Sequence, residues 1–426
     1  MRRPFFQYVL LAFLLSGVPV CYVRAESEVI RVPADYPTIQ EAVNAAAPGS
    51  MIFIASGVYH ECVVVNKTLM LVGENRANTI IDGDGGGTVI RVMAHNVMIE
   101  NLTIRGGDVG IKLEGAYNST LSRNIITLHK CDGILMINST RIAILDNIIT
   151  KCGTFIPGPL IYGGAFNLIN SSGNIIEGNV ALDNIGYGLL LQHSTYNQIR
   201  KNTLSNSYSG IFLTHSTWNT IYHNNFVNNT DHVFLYESYN NTWDYNNEGN
   251  YWDSYNGLDD GSGGRVAGDG VGDTKLPHFG VDNYPLINPY DSIPIVWENE
   301  AFPIGLLSNS TISSFRFIHI EKKLTFTLTA PPNTIVFCNL TIPKSFMIGN
   351  PWTVLVDGIS VDYVTSENQT HSLLHLQIHK STSQVVIQGT WVVPEFPSAA
   401  IMPLLMILSM LAVIFAKKRL PRKLET

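Results

Sequence analysis

Between residues 101 and 250, short apolar runs alternate with polar turns at a regular interval of about 23 residues. Each unit starts with a small residue and alternating apolar positions, and it reaches an asparagine 14 residues after its start. The five clearest units have these starts and asparagines: Gly110 and Asn124, Gly133 and Asn147, Ala165 and Asn179, Gly188 and Asn202, Gly210 and Asn224. Counted from Asn101, the steps between successive asparagines are nearly equal, except for a longer one between Asn147 and Asn179. This long step contains nine extra residues, 154–162, which are rich in proline and glycine.

This pattern predicts a parallel β-helix, because period-two alternation favours strands and a fixed repeat lets each turn stack on the next. Inward positions such as Ile211 and Leu213 would form the core, with turns about 4.8 Å apart. Glycine and asparagine are expected at corners that need left-handed backbone angles. An asparagine repeated in register can also hydrogen-bond to its equivalent in the next turn. A leucine-rich repeat has a similar period, but its leucine-rich helical half is absent, and residues 30–250 have room for nine or ten turns.

One helical signal precedes the repeat, at residues 36–47. Thr38 followed by Glu41 is a capping-box pattern, and Ile39, Val43 and Ala46 fall on one face of a helix. The open end of a β-helix exposes unpaired backbone groups and needs a cover. We therefore expect this helix to close the N-terminal end.

Residues 296–393 have a different texture, because the asparagine repeat stops and alternating runs are separated by turn signals. The runs lie at 315–320, 324–328, 335–342, 352–356, 373–378 and 385–392. About seven short strands in about 100 residues favour an immunoglobulin-like β-sandwich. We interpret this domain as a stalk.

The two ends have the patterns of targeting segments. In residues 1–25, Arg2 and Arg3 precede an apolar run, and Ala25 offers a small residue for signal-peptide cleavage. An uncleaved N-terminal anchor is the alternative. Residues 399–416 are uncharged and almost wholly apolar, long enough to cross a bilayer core. The basic residues of 417–426 would then lie in the cytoplasm, with the body of the protein outside the cell.

The charge and cysteine content of the chain exclude some classes of protein. Charged residues make up 14% of the chain, against about 25% in an average soluble protein. The formal net charge is −7, and basic residues gather at the two ends. This balance excludes a basic nucleic-acid-binding protein. Five cysteines are too few for a disulfide scaffold, although Cys131 and Cys152 fall on neighbouring turns, where one disulfide is a candidate.

One repeat position changes its chemistry along the chain. It holds Gly or Asn in early turns and then His193, His215 and Glu237, each one repeat after the last. Residues at one repeat position stack at about 4.8 Å, and two imidazoles with a carboxylate suit Zn²⁺ or Cu²⁺. The alternative is ordinary turn chemistry, since histidine tolerates turns.

Two further sets are candidate binding residues. Tyr196 and Trp218 share another repeat position on consecutive turns, and two aromatic rings beside asparagines can form a sugar platform. Edge packing is the alternative. Four acidic residues lie among glycines in a segment suited to Ca²⁺; a solvated acidic loop is the alternative. They are Asp259, Asp260, Asp269 and Asp273.

Several segments together resemble a known family. Residues 32–40 (VPADYPTIQ) and 57–59 (GVY) resemble the opening of right-handed β-helix proteins of the pectinesterase and NosD groups. The repeats resemble the NosD-type β-helix of carbohydrate-binding proteins and sugar hydrolases. Segments 249–252, 268–273 and 282–286 resemble the close of archaeal NosD-like surface proteins.

This resemblance covers about residues 30–290 and implies a right-handed parallel β-helix. Bacterial NosD helps to mature the copper site of nitrous oxide reductase, and the family carries the label "periplasmic copper-binding". The present chain shows no methionine-rich or Cys-x-x-Cys copper motif. Residues 394–397 (PEFP) resemble an archaeal PEF-type sorting signal. That likeness implies processing by an archaeosortase and transfer to a surface lipid; a plain stop-transfer helix is the alternative.

The sequence thus predicts an all-β protein. Its segments are a signal peptide (1–25), a NosD-like parallel β-helix (26–290), a sandwich stalk (296–393), a PEF-type linker (394–398), a transmembrane helix (399–416) and a basic tail (417–426). The expected function is binding of an extracellular glycan, of a metal ion (Ca²⁺, Zn²⁺ or Cu²⁺), or of both. No catalytic residues are proposed, because the clustered carboxylates that β-helix lyases and hydrolases need are absent. A polysaccharide lyase or hydrolase, and copper handling in the NosD manner, are the alternatives.

Overall fold

The computed structural model describes residues 29–392, apart from 156–160, 298–299, 333, 368–369 and 381. The predicted signal peptide, the PEF-like segment and the predicted transmembrane helix lie outside the described residues. Within the described part, no helix combines the length and the apolar character needed to span a bilayer.

A short helix covers the N-terminal end, as predicted. Helix α1 spans Ile39–Ala45, and the Thr38 hydroxyl accepts a hydrogen bond from the main-chain N–H of Glu41. Two further N–H groups of the first helical turn, those of Ile39 and Gln40, donate to the carboxylate of Glu61, on a loop of the first turn of the β-helix, at 2.8 and 2.9 Å. The apolar face of the helix, with Ile39, Ala42 and Val43, is buried on the first turn.

Residues 29–252 form a parallel β-helix of three sheets, as the repeat predicts. Sheet A contains Val29–Val32, Met51–Ile54, Met70–Gly73, Met98–Glu100, Thr120–Ser122, Ala143–Leu145, Ile175–Glu177, Gln198–Arg200 and Thr220–Tyr222. Sheet B contains Gly57–His60, Thr79–Asp82, Thr103–Arg105, Ile125–Thr127, Ile148–Thr150, Val180–Leu182, Thr203–Ser205, Asn225–Val227 and Tyr251–Trp252. Sheet C contains Val63–Val65, Thr88–Val92, Val109–Glu114, Ile134–Ile137, Gly164–Ile169, Tyr187–Gln192, Ser209–Thr214 and Asp231–Tyr236.

The strands of each sheet alternate buried and outward residues, so one apolar core runs the length of the β-helix. Inward side chains such as Ile211 and Leu213 are fully buried, and a single hydrophobic cluster extends from Ile30 to Trp252. Sheets A and B have nine strands each and sheet C has eight. Since each turn contributes one strand to a sheet, the β-helix has about nine turns, the lower end of the expected nine or ten.

Buried asparagines stack in register between sheets A and B, which confirms the predicted ladder. Asn202 is typical: its main-chain N–H and its Nδ2 donate to Oδ1 of Asn224 at 3.0 and 2.9 Å. Its Nδ2 also donates to the carbonyls of Ile176 and Arg200. In turn its Oδ1 accepts both donors of Asn179, each at 3.0 Å. The side chain thus supplies the partners that the bent backbone at this corner cannot find within the sheets.

The expected left-handed angles occur at many corner glycines and asparagines, such as Asn101 and Asn138. In the buried ladder from Asn124 to Asn224, however, the left-handed residue is the one before each asparagine, as at Lys201 (φ 57°) and His223 (φ 56°). Gly110 lies inside a strand of sheet C, and a Cβ added there would stand 2.5 Å from the carbonyl oxygen of Gly133. Close approach of neighbouring turns therefore requires this glycine.

The long repeat step forms an outward hairpin. Thr154–Phe155 pairs in antiparallel fashion with Ile161–Tyr162, and the residues between them are outside the described set. The register of sheet C continues past the insertion, with Ile134 paired to Phe166. The nine extra residues therefore leave the stacking of the turns intact.

After a loop region with one 3₁₀ helix, Ser262–Gly264, the chain forms a β-sandwich, as predicted in outline. One five-stranded sheet contains Asp291–Trp297, Glu300–Ser308, Val336–Pro343, His371–Ile378 and Val364–Glu367. The other contains Thr311–Ile318, Lys323–Thr329, Thr382–Gln388, Thr353–Val356 and Ile359–Ser360. A short pair, Met347–Ile348 with Trp391–Val392, completes it. The immunoglobulin type of this sandwich stays a prediction.

The sandwich packs against the end of the β-helix. Asn225 and Tyr290 exchange two hydrogen bonds, at 2.8 and 3.0 Å, and Phe337 and Leu307 join Val271 in a small apolar cluster. The candidate disulfide is not formed: the four cysteines of the described part, Cys62, Cys131, Cys152 and Cys338, are free thiols.

Candidate functional site

The corner that follows sheet C carries the first candidate residues. His193, His215 and Glu237 have left-handed angles, with φ of 48°, 49° and 46°. Each of these three residues is followed by a serine. The hydroxyl of that serine accepts a hydrogen bond from the main-chain N–H of the equivalent serine one turn earlier; for example, the N–H of Ser194 donates to Ser216 Oγ at 3.0 Å. The inner serine fixes the bend, and the residue before it is free to project from the surface.

The structure brings these three side chains side by side, as the spacing predicts. The rings of His193 and His215 stack with centroids 4.6 Å apart and planes 19° apart. His215 Nε2 lies 2.6 Å from Oε2 of Glu237, and both side chains are about half exposed. The hydroxyl of Thr214 lies 3.0 Å from the other ring nitrogen of His215. We call His193, His215 and Glu237 the histidine corner.

The histidine corner does not yet hold three donor atoms around one point. A metal site of this kind needs donor atoms from three His, Cys, Asp or Glu side chains close to one another. Among the described residues, only His60, Asp82 and Asp84 bring three such atoms within 4.8 Å of one another. At the histidine corner, stacking separates the two rings along the β-helix axis. A metal ion there would need one histidine to rotate out of the stack, so the metal assignment stays a prediction.

Aromatic side chains that the sequence analysis did not single out border the histidine corner on sheet C. Phe212 contacts both Tyr187 and Phe234, with ring centroids 5.5 and 4.6 Å apart, and Tyr236 meets His215 edge to face at 5.5 Å. The register pairs Phe212 with Phe234 on neighbouring strands. Their spacing of one repeat was the available signal.

Tyr196 and Trp218 occupy the next position of left-handed angle along the same turns, with φ of 57° and 60°. Their side chains are 65% and 53% exposed. Packing at an edge therefore accounts for little of their surface. The residues that follow them, Asn197 and Asn219, are buried members of a second asparagine ladder, with Asn197 Nδ2 donating to Asn219 Oδ1 at 3.0 Å. The ladder holds the two rings on consecutive turns, pointing into solvent.

The carboxylates of the predicted Ca²⁺ segment are engaged by main-chain N–H groups. Asp259 accepts from Gly268 and Gly270 at 2.5 and 2.7 Å, and Asp273 accepts from Gly261 at 2.6 Å. In the same way Asp269 accepts from Val271 and Asp260 from Ser262, each at 3.0 Å.

Burial, together with the neighbouring carboxylates Asp259 and Asp273, raises the pKa of Asp269 to about 6. The segment also supports the sandwich, since Asn339 Nδ2 donates to the carbonyl of Asp269 at 2.6 Å. These contacts give the segment a structural role, and Ca²⁺ binding stays a prediction.

A cleft between the β-helix and the sandwich was not predicted, because it depends on how the two domains meet. Its cavity has a volume of about 350 Å³ and is lined by Arg200, Lys201, Tyr222, His223, Glu248 and Tyr290 among others. Buried His223 Nε2 pairs with Glu248 Oε2 at 2.8 Å, and its ring stacks on Tyr290 at 3.9 Å.

A second charged group reaches the same cleft. Glu177 pairs with Arg200 and Lys201 at 2.8 and 3.0 Å. Although burial acts to raise the pKa of Glu177, the two cations hold that pKa below its usual value. These ion pairs fix the charged residues at the domain junction.

Comparisons with known proteins match the chain to one family, to a cell surface glycoprotein and to several solved structures. The model of the family "Periplasmic copper-binding protein (NosD)" matches residues 43–257, just over half of the chain. A cell surface glycoprotein of Methanothermus fervidus is 30% identical over 125 residues, which are 28% of this chain and 21% of that protein. The chain therefore spans about a fifth of the length of that relative.

Two solved structures illustrate the structural likeness. An alginate lyase from Paenibacillus sp. str. FPU-7 is 15% identical with a TM-score of 0.33, covering 50% of this chain and 97% of that one. A pectin methylesterase from Yersinia enterocolitica is 17% identical with a TM-score of 0.33, covering 47% of this chain and 81% of that one.

Proposed function

We propose that this chain, which belongs to the NosD family of periplasmic copper-binding proteins, is a cell-surface β-helix protein that binds carbohydrate. The binding surface is the pair Tyr196 and Trp218, together with the neighbouring histidine corner. The observation that carries this proposal is the exposure of two aromatic rings on consecutive turns, each held by a buried asparagine of the next position. Aromatic faces stack on the apolar faces of sugar rings, and nearby polar side chains supply hydrogen bonds.

A surface location is supported by the similar cell surface glycoprotein and by the predicted signal peptide and apolar segment at the two ends of the chain. In this proposal the protein is held at the membrane either by residues 399–416 as a helix or, after PEF-type processing, by a surface lipid. The β-helix would then face the exterior on top of the sandwich stalk, with its sugar-binding corner accessible to surface or extracellular glycans.

A second candidate function is binding of Zn²⁺ or Cu²⁺ at the histidine corner. It is supported by the stacked imidazoles of His193 and His215 and by the ion pair of His215 with Glu237. Imidazole and carboxylate together suit these two ions. The donors are present on adjacent turns, and rotation of the exposed His193 side chain is the change that binding would require.

The experiment that tests carbohydrate binding is a glycan array probed with the full-length protein, followed by calorimetry on any glycan retained. Retention of specific glycans by the wild type, and their loss in the double variant Tyr196→Ala/Trp218→Ala, is the expected result. Equal retention by both proteins would place binding elsewhere, and no retention by either would remove the proposal.

A further inference from the structure

A second cluster of metal-ligating side chains lies near the opposite, N-terminal end of the β-helix. His60 and Asp82 are the last residues of neighbouring strands in sheet B and are directly paired in the parallel register. Paired residues of parallel strands project from the same face. The strand geometry therefore fixes an imidazole beside a carboxylate, one turn apart.

A glycine-rich bend adds the third side chain. Residues 83–87 read Gly-Asp-Gly-Gly-Gly, and Asp84 within them has a left-handed φ of 51°. The main-chain N–H of Asp84 donates to Asp82 Oδ1 at 3.1 Å. This contact turns the Asp84 side chain toward His60, whose Nδ1 lies 2.7 Å from Asp84 Oδ1.

From this geometry we propose that His60, Asp82 and Asp84 form a binding site for a divalent transition-metal ion, represented by Zn²⁺. One donor atom from each residue lies within 4.8 Å of the other two, which is the sole such grouping in the described part of the chain. One nitrogen and two carboxylate oxygens are ligands that Zn²⁺ accepts, at about 2.0–2.2 Å each. The side chains of His60 and Asp84 are 59% and 64% exposed, so they can adjust to an ion and leave coordination positions for water.

Arg105, on the next strand, supports the site from outside. Its Nε donates to Asp82 Oδ2 at 2.7 Å, and the register pairs Asp82 with Arg105. Hydrogen bonds of this kind orient ligating carboxylates. Each carboxylate oxygen has two lone pairs, so Asp82 can bind an ion while it keeps the contacts with Arg105 and with the N–H of Asp84.

The test is calorimetric titration of Zn²⁺ into the untagged full-length protein, after metal is stripped with a chelator. His60→Gln and Asp84→Asn are expected either to lose one Zn²⁺ per chain or to bind that ion at least about 10-fold more weakly. The matched control is His95→Gln, which changes another exposed histidine of the β-helix and is expected to bind like the wild type. All variants are repeated in a His193→Ala/His215→Ala background, which removes the histidine corner from the count.

Three outcomes would overturn the proposal. The first is absence of Zn²⁺ binding in the His193→Ala/His215→Ala background. The second is unchanged binding in both His60→Gln and Asp84→Asn, each shown to be folded by its melting curve; either variant alone decides if the other fails to fold. The third is Ca²⁺ binding that is tighter than Zn²⁺ binding and is lost in Asp84→Asn but kept in His60→Gln, because Ca²⁺ prefers oxygen ligands and would leave the imidazole unused. Cu²⁺ is expected to bind at least as tightly as Zn²⁺.

Discussion

Asn250 donates its main-chain N–H and its side-chain Nδ2 to the same carboxylate oxygen of Asp282, at 2.8 and 3.3 Å. This contact ends a chain of hydrogen bonds in which every asparagine donates toward the C-terminal end of the β-helix. Its members are Asn124, Asn147, Asn179, Asn202, Asn224 and Asn250. Amide dipoles aligned in this way reinforce one another, and their positive ends point at the carboxylate.

Replacing Asp282 by Asn is expected to destabilise the C-terminal end of the β-helix. The carboxylate also accepts from Trp252 Nε1 and from the N–H of Tyr284, each at 2.9 Å, and an amide would turn its own NH₂ toward some of these donors. Each buried donor left without a partner costs about 1–3 kcal/mol. Compared with the wild type, the variant should exchange its amide hydrogens faster at Asn224 and Asn250, and less so at Asn124. An equal change along the whole ladder, or none, would contradict the prediction.

Replacing Asn202 by Leu tests the ladder in its middle. The change removes Oδ1, the acceptor for both donors of Asn179, and it removes the Nδ2 that donates to Oδ1 of Asn224. The main-chain N–H of residue 202 remains as a donor to Asn224. We expect a loss of about 1–3 kcal/mol for each buried group that stays unpaired, measured by chemical denaturation. Gln198→Leu, an exposed polar-to-apolar change on the same turn, is the control and should change the free energy of unfolding far less.

Asp132 gives a pH-dependent prediction. Burial raises its pKa to about 6, although Asn167 and the N–H of Gly164 donate to it. The folded state therefore holds this proton more tightly than the unfolded chain, whose pKa is about 3.9. The contribution of Asp132 to stability falls as pH rises from about 4 to about 6.

Asp132→Asn removes this titration, so its free energy of unfolding relative to the wild type should rise by up to about 3 kcal/mol between pH 4 and pH 7.5. Buried His129, whose pKa is lowered to about 4, acts with the opposite sign but cancels in the comparison because both proteins contain it. Chemical denaturation at the two pH values measures the difference. A constant difference would show that Asp132 does not titrate in this range.

Tyr196→Ala and Trp218→Ala are each expected to weaken binding of any retained glycan by about 1 kcal/mol or more, because each change removes an apolar ring face that is buried against the sugar. Both side chains are exposed, so the melting temperature should stay within a few degrees of the wild type. Tyr117→Ala, at the same corner several turns away, is the matched control. Equal weakening by all three variants would indicate a general change at the corner rather than a platform.

Deleting residues 399–426 is expected to release the protein into the medium, because the deletion removes the predicted membrane segment and its basic tail. Fractionation followed by immunoblotting measures the distribution. Retention of the truncated protein in the membrane fraction would indicate an uncleaved N-terminal anchor or another means of attachment.

The repeat made the β-helix predictable, since one short period specifies strands, corners and stacking together. It also placed His193, His215 and Glu237 side by side, which the structure confirms. The cause of the glycine at Gly110 was not predictable from the sequence, because it depends on the distance to the next turn. The sequence offered a signal for His60 and Asp82 as well, namely their separation by one repeat, but it lies before the part of the chain where the repeat is regular.

The junction between the two domains could not be predicted at all. His223 lies at a corner position of the β-helix, yet its partners are Glu248, in the following loop, and Tyr290, at the start of the sandwich. Contacts between residues so far apart in sequence follow from the docking of the domains and leave no local pattern. The cleft lined by these residues was missed for the same reason.

Most corners after sheet C join an inner serine, which the fold needs, to an outer residue that keeps a left-handed backbone angle while its side chain projects from the surface. Within this one chain the outer position holds Gly115, Asn138, Asn170, His193, His215 and Glu237, while from the second of these turns onward the inner neighbour is always serine. Surface chemistry can therefore be rewritten along a single line of the molecule without disturbing its interior. One turn can therefore be exchanged for another as a unit, and copies of a turn would present a row of chosen side chains at a fixed spacing.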